Sequence, residues 1–226
     1  MKEFDTRTEN IRSLSERHGR KLELISNCFQ FLDEIIDNCN ARIDDDYYRI
    51  CGIAIVKGKN YALSCYSLIL DGHAQEAGAM ARPWWEYLEV LVYFQEDTHR
   101  TKQVASNSLP APGRLSRKVN SSLQGFRQYL NEHAAHRSFG SESLKHILNQ
   151  DGTIKKQQKA SEMVVIRNIR DLFVMLWLFS NESLTAIAAK DPDKAETFLK
   201  MAKRLEDLRD QGRVEFELGS SRKAKE

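Results

Sequence analysis

The amino-acid sequence predicts an all-α protein, a helical bundle of about five main helices with long antiparallel packing. Three observations predict it. Only four prolines and eleven glycines interrupt 226 residues, too few for the many tight turns of a sheet protein. Apolar residues recur at helical spacing from the first segment on, with Leu14, Leu22, Ile25, Phe29, Leu32 and Ile36 on one face and charges on the other. The stretch "LFVMLWLF", residues 172–179, is apolar on every side. A membrane span needs about 20 such residues, and Arg167, Arg170, Asp171, Asn181 and Glu182 flank this one closely. It reads as a central core helix.

The first helix is expected over about Asp5–Ile43, ended by the acidic run Asp44, Asp45, Asp46. A second, short segment starts near Tyr47 and runs through "RICGIAIVKG"; its β-branched content allows a strand, and helix is favoured. A third runs from Asn60 or Tyr61 to about Gln95, and Pro83 inside it predicts a kink or restart near Met80–Arg82. Residues 106–116, "SNSLPAPGRLS", form the clearest loop. A fourth helix covers roughly Ser116–Ala135. Ser143–Lys159 reads as a short helix and connector with a turn at Asp151-Gly152. The fifth helix spans about Ala160–Lys190 and is expected to pack on the Tyr61–Gln95 helix. A final helix is announced by Asp191 as N-cap and Pro192 at the first helical position, and runs to about Gln211 before Gly212. The domain reading is an N-terminal amphipathic helix over 1–46, a helical bundle core over 47–211 and a disordered basic tail over 212–226.

A net charge of +2 from 34 basic and 32 acidic residues leaves no global excess to draw the chain to nucleic acid or an anionic membrane, so any basic surface has to be local. Cys28, Cys39, Cys51 and Cys65 lie 11, 12 and 14 residues apart. That spacing lacks the close pairs of a structural zinc site, and they read as reduced thiols filling the core. The charged N-terminus contains no apolar signal segment, which predicts a cytoplasmic, bacterial setting with no membrane association.

The candidate chemistry centres on two stretches. In "HAQEAGAMARPWWEYLEVLVYF", residues 73–94, Arg82 and Glu86 stand one turn apart and share a face. They are expected in the bundle interior, facing the fourth helix, where Tyr129, Asn131 or His136 completes a polar pocket. On that reading Glu86→Ala strands a buried charge and costs roughly 3 kcal/mol or more. In "YLNEHAAHRSFGS", His133 and His136 lie near one face with Tyr129, a pair able to join a metal only if Glu86 or His73 comes close; as helix-end histidines they simply satisfy hydrogen bonds. No metal and no cofactor is expected. Phosphate-loop, nucleophile-elbow and zinc-protease patterns are absent.

"RQYLNEH", residues 127–133, resembles the Rx4-6H motif of HEPN ribonucleases, helical bundles that pair so that two Arg-His sets face one RNA-cleaving cleft. The resemblance implies that Arg127 stabilises phosphate charge and His133 aids proton transfer, without a metal. Six residues turn a straight helix by about 600°, so the two side chains stand roughly 120° apart unless the helix is distorted or a second subunit contributes. Both lie in a polar segment, so replacing either is expected to leave stability nearly unchanged. A broader resemblance covers about residues 50–145, from "ALSCYSLILDGHAQEAGAMARPWWEYLEVLVYFQED" to "FRQYLNEHAAHRS". It is to a family of bacterial helical proteins known as a domain of unknown function, with an RxxxE helix and a downstream tyrosine-to-histidine element. It assigns Arg82, Glu86, Tyr129, Asn131 and His136 to a shared polar site, and so selects His136 where the ribonuclease motif selects His133.

The expected function is that of a self-associating, HEPN-like module acting on nucleic acid, a metal-independent ribonuclease of a defence or toxin system, with RNA as partner. The alternatives are an interaction protein whose apolar groove takes a partner protein's helix, and a small-molecule sensor in which Arg82 holds an anion.

Overall fold

The computed structural model describes residues 2–119, 125, 127–128, 148, 151–154 and 161–218. The described residues form an all-α bundle with no strand. Seven α-helices follow in order: α1 (Lys2–Asn40), α2 (Asp46–Leu70), α3 (Ala74–Glu96), the short α4 (Lys102–Ala105), α5 (Pro112–Lys118), α6 (Glu162–Ala188) and α7 (Ala195–Glu215). None of the helices searched is long and apolar enough to cross a membrane.

The helix boundaries follow from local chemistry. Asp45 stops the α1–α2 turn and caps α2, its Oδ1 accepting the Tyr47 N–H at 2.8 Å. The expected break near Asn60 does not occur: α2 runs unbroken to Leu70 and ends at Asp71-Gly72-His73, where Gly72 takes φ +83° and the His73 N–H bonds the Leu68 carbonyl at 2.8 Å. That left-handed residue just past a helix end is the usual work of glycine. Pro83 does not split α3. The departure from helical geometry falls instead in α1, at His18 (φ −136°, ψ 27°), a position with no proline to announce it. The predicted turn at Asp151-Gly152 is present, with Gly152 at φ +81° and the Thr153 N–H donating to Asp151. Pro192 opens a 3-10 turn (Pro192–Lys194) ahead of α7, and Gly212 lies inside α7 instead of ending it.

The central helix is α6, which packs against α1, α2, α3 and α7. Leu172, Phe173, Met175, Leu176 and Phe179 are buried, the pattern its all-round apolarity demands. Two glycines on neighbouring helices let it come close. A Cβ on Gly58 of α2 would overlap the Phe179 ring, and one on Gly212 of α7 would overlap Phe173. Trp84 meets Phe179 edge-on at 6.0 Å between centroids, and Phe216, just past α7, stacks on Phe173 at 5.2 Å. Polar ties fix the register: the Tyr47 hydroxyl donates to the Ala186 carbonyl at 2.6 Å and Trp177 Nε1 donates to the Leu205 carbonyl at 3.0 Å. All four cysteines are free and buried, two on α1 and two on α2, and burial pushes the Cys28 thiol up to about 12 and that of Cys39 up to about 11.

The glycine contacts set a test. On an open helix face Gly→Ala stabilises by about 0.5–1 kcal/mol, and Gly19, with nothing near its absent Cβ, should follow that rule. Gly58→Ala and Gly212→Ala should instead cost about 1–3 kcal/mol, because the rings behind them must move. Denaturant midpoints of the three variants measure the difference.

Candidate functional site

On α3 the residues Arg82, Glu86 and Glu89 follow at spacings of four and three, so all three lie along one stripe. Two are directed toward Arg127, itself in helical conformation. Arg127 Nη1 donates to Glu89 Oε2, and Nη2 donates to Glu86 Oε1 at 3.5 Å. The same Glu86 oxygen lies 3.7 Å from Arg82 Nε. Two arginines and two glutamates thus form a chain, Arg82–Glu86–Arg127–Glu89, with no net charge.

Depth changes steadily along the chain. Side-chain exposure falls from 33% at Arg82 and 28% at Glu86 to 12% at Arg127 and zero at Glu89. Glu89 stands between Leu88 and Leu91, both buried, and its second oxygen, Oε1, is buried too, with no close hydrogen bond among the described residues beyond the neighbouring Ser116 side chain, which favours the ionised carboxylate. Burial raises its carboxyl above the ordinary glutamate value, an effect the Arg127 charge opposes only in part and the Glu86 charge reinforces. Arg82 and Glu86 are therefore paired as expected, but half-exposed; the interior position belongs to Glu89.

Of the other expected pocket members, Tyr129, Asn131 and His136 lie outside the described residues, as does His133. Of the motif's two functional residues, Arg127 and His133, Arg127 lies among the described residues. It is not a free cation: a phosphate approaching it has to compete with Glu86, the longer and more exposed of its two ion pairs. Glu89 touches no solvent, so its part is to hold Arg127 in place. No group of three or more His, Cys, Asp or Glu able to hold a metal occurs among the described residues.

Glu89 was missed at the level of sequence, although a single carboxylate inside "YLEVLVYF" is a signal in its own right: a charge there is expensive unless a cation answers it. A second feature was missed as well. From Thr98 to Asn131 the chain has no Asp or Glu, while Arg100, Lys102, Arg114, Arg117, Lys118 and Arg127 all fall within it. Arg100 is tied back to Glu96 at 2.6 Å and lies 4.2 Å over the Tyr93 ring. Lys102, Arg114, Arg117 and Lys118 are exposed and have no carboxylate partner among the described residues. The basic surface that the overall charge hides is local to α4 and α5. The chain matches no protein-family model, no curated protein and no solved structure.

The gradient of burial orders the mutations. Glu89→Ala strands the Arg127 guanidinium away from water and should cost about 3 kcal/mol or more, whereas Glu86→Ala should cost about 1 kcal/mol, since its arginines keep solvent or Glu89. Arg127→Ala, against the expectation from its polar neighbours, should be destabilising too, because it leaves Glu89 unanswered. Urea titrations of the three variants give the order directly.

A pH dependence follows from the same carboxyl. A group whose pKa is higher in the folded than in the unfolded chain holds its proton more tightly when folded, so stability falls as pH rises from the unfolded value through the folded one. Glu89→Gln keeps an acceptor for Arg127 and carries no titrating charge. Wild-type stability, measured relative to Glu89→Gln, should therefore decline as pH is raised above about 4.5, and a difference that is flat with pH would contradict the buried-carboxyl assignment.

Proposed function

We propose that the protein is a HEPN-like module acting on RNA, in which the α4–α5 surface carries the nucleic-acid backbone and Arg127 with His133 performs cleavage. The observation that carries the reading is the acid-free stretch 98–131, which includes Arg127 and whose exposed cations on α4 and α5 have no carboxylate partner among the described residues. Unpaired cations released from no internal partner are the ones that gain most from phosphate, since binding expels condensed counterions instead of breaking a salt bridge. In this reading Glu86 and Glu89 are positioning residues: they fix the guanidinium plane so that its remaining donors face a scissile phosphate, and His133 moves the proton. The chemistry needs no metal. A cytoplasmic setting in a bacterial defence or toxin system belongs to the same proposal and comes with the resemblance to that family.

Single-stranded RNA binding, measured against salt, tests the surface. Each phosphate contact to a single strand contributes about 0.7 to the slope of log affinity on log salt. Replacing Arg114, Arg117 and Lys118 together by alanine should lower that slope by about 2 and weaken binding at least tenfold. His133→Ala should abolish cleavage while leaving binding and stability unchanged. Full cleavage in that variant removes His133 from the mechanism, and intact RNA under all conditions with the wild-type protein removes the enzyme reading while the binding result stands on its own.

A further inference from the structure

The two carboxylates of the chain Arg82–Glu86–Arg127–Glu89 hold their arginines very differently. Glu89, which touches no solvent, meets Arg127 in a close contact. Glu86 offers a single oxygen, Oε1, to two guanidiniums, with Arg127 Nη2 at 3.5 Å and Arg82 Nε at 3.7 Å. Charge-assisted bonds of this kind close to about 2.7–2.9 Å, so one shared oxygen serves neither arginine well. Arg82 Nη1 and Nη2 have no partner among the described residues. Two arginines are thus gathered around an anion that is too small for both.

A phosphate group answers that geometry. A phosphodiester carries the same single negative charge as a carboxylate, but its two non-bridging oxygens stand wider apart on a tetrahedral phosphorus, and each guanidinium can take one. Putting it in the place of Glu86 leaves the charge of the cluster unchanged. Glu86 is also the carboxylate able to leave: its side chain is 28% exposed and both its contacts are long, whereas Glu89 has no route to water. Half-exposed pairs of this kind are weak.

We propose that Arg82 is a second phosphate-binding residue beside Arg127, and that Glu86 is the resident stand-in for phosphate, turning out to solvent when a phosphate group takes its place. In the free protein Glu86 keeps two like charges together with their planes ready. In the complex Glu89 alone keeps Arg127 in position. The assignment rests on the RNA reading only in naming an RNA phosphodiester as the natural ligand.

Two probes test it: a 2′-O-methyl RNA oligonucleotide, which resists cleavage, and inorganic phosphate alone. Glu86→Gln removes the competing charge and should bind the oligonucleotide about fivefold more tightly. The same loss of charge at the start of α3, Glu76→Gln, should change binding by less than about twofold, because solvent screens it. Arg82→Lys keeps the charge and loses the fork of donors, and should weaken binding about fivefold or more, with a circular-dichroism melt showing the helices intact. Phosphate titrated into the wild type should move the Nε resonances of Arg82 and Arg127 and the Glu86 carboxyl carbon together. Binding that is weaker or unchanged in Glu86→Gln, or unchanged in Arg82→Lys, would overturn the exchange. Phosphate that moves the three resonances and binds more tightly to Glu86→Gln, with no oligonucleotide bound, upholds the exchange and removes the RNA reading. An oligonucleotide that is lost with Arg114, Arg117 and Lys118 but indifferent to Arg82→Lys upholds the cationic surface and removes the exchange.

Discussion

A helix that is apolar all round has to be surrounded, and this requirement on α6 arranges the rest of the bundle. Its neighbours α1, α2, α3 and α7 each present an apolar face, and the distances are set where a ring meets a glycine, Phe179 at Gly58 and Phe173 at Gly212. Once those contacts are made, α3 is held with Trp84 inward against Phe179. On the same helix, Glu86 and Glu89 then face Arg127. The polar cluster is placed by apolar packing it takes no part in.

Within the cluster the energetics are asymmetric. An exposed pair such as Arg82–Glu86 is worth little, because water serves each partner nearly as well. Arg127–Glu89 is different in kind: neither partner can return to water without opening their contact, so the pair fixes where Arg127 sits on α3 more than it stabilises the fold. The raised pKa of Glu89 expresses this, since the site disfavours its charge even with Arg127 present. Cations outside that contact, on α4 and α5, have no such obligation and remain available to a ligand.

Much of the architecture was legible in the sequence, and the failures share a cause. The helical period in α1, the all-round apolarity of residues 172–179 and the turn at Asp151-Gly152 were read directly because each is a local signal. Gly212 reads as a helix end in the sequence and is a packing position in the fold, as is Gly58, a difference visible only once Phe173 and Phe179 arrive from α6. The Asp71-Gly72 stop was overlooked beneath the strong apolar pattern on either side. At the site, the Arg82–Glu86 pair followed from spacing, and its depth did not: half-exposure of that pair and complete burial of Glu89 depend on what lies over α3, and Arg127 is 38 residues away from Glu89 in the chain.

The placement of the cysteines has a practical side. Cys28 and Cys39 lie on α1, Cys51 and Cys65 on α2, all free and buried, and their thiols are held protonated well above neutral pH. A thiol reagent reacts with thiolate that it can reach, so in the closed bundle it finds neither. Labelling has to wait for α1 and α2 to part from the core, and its rate then counts openings. The protein carries, in natural residues, a clock for the breathing of one helical hairpin, readable under native conditions and silent about the rest of the chain.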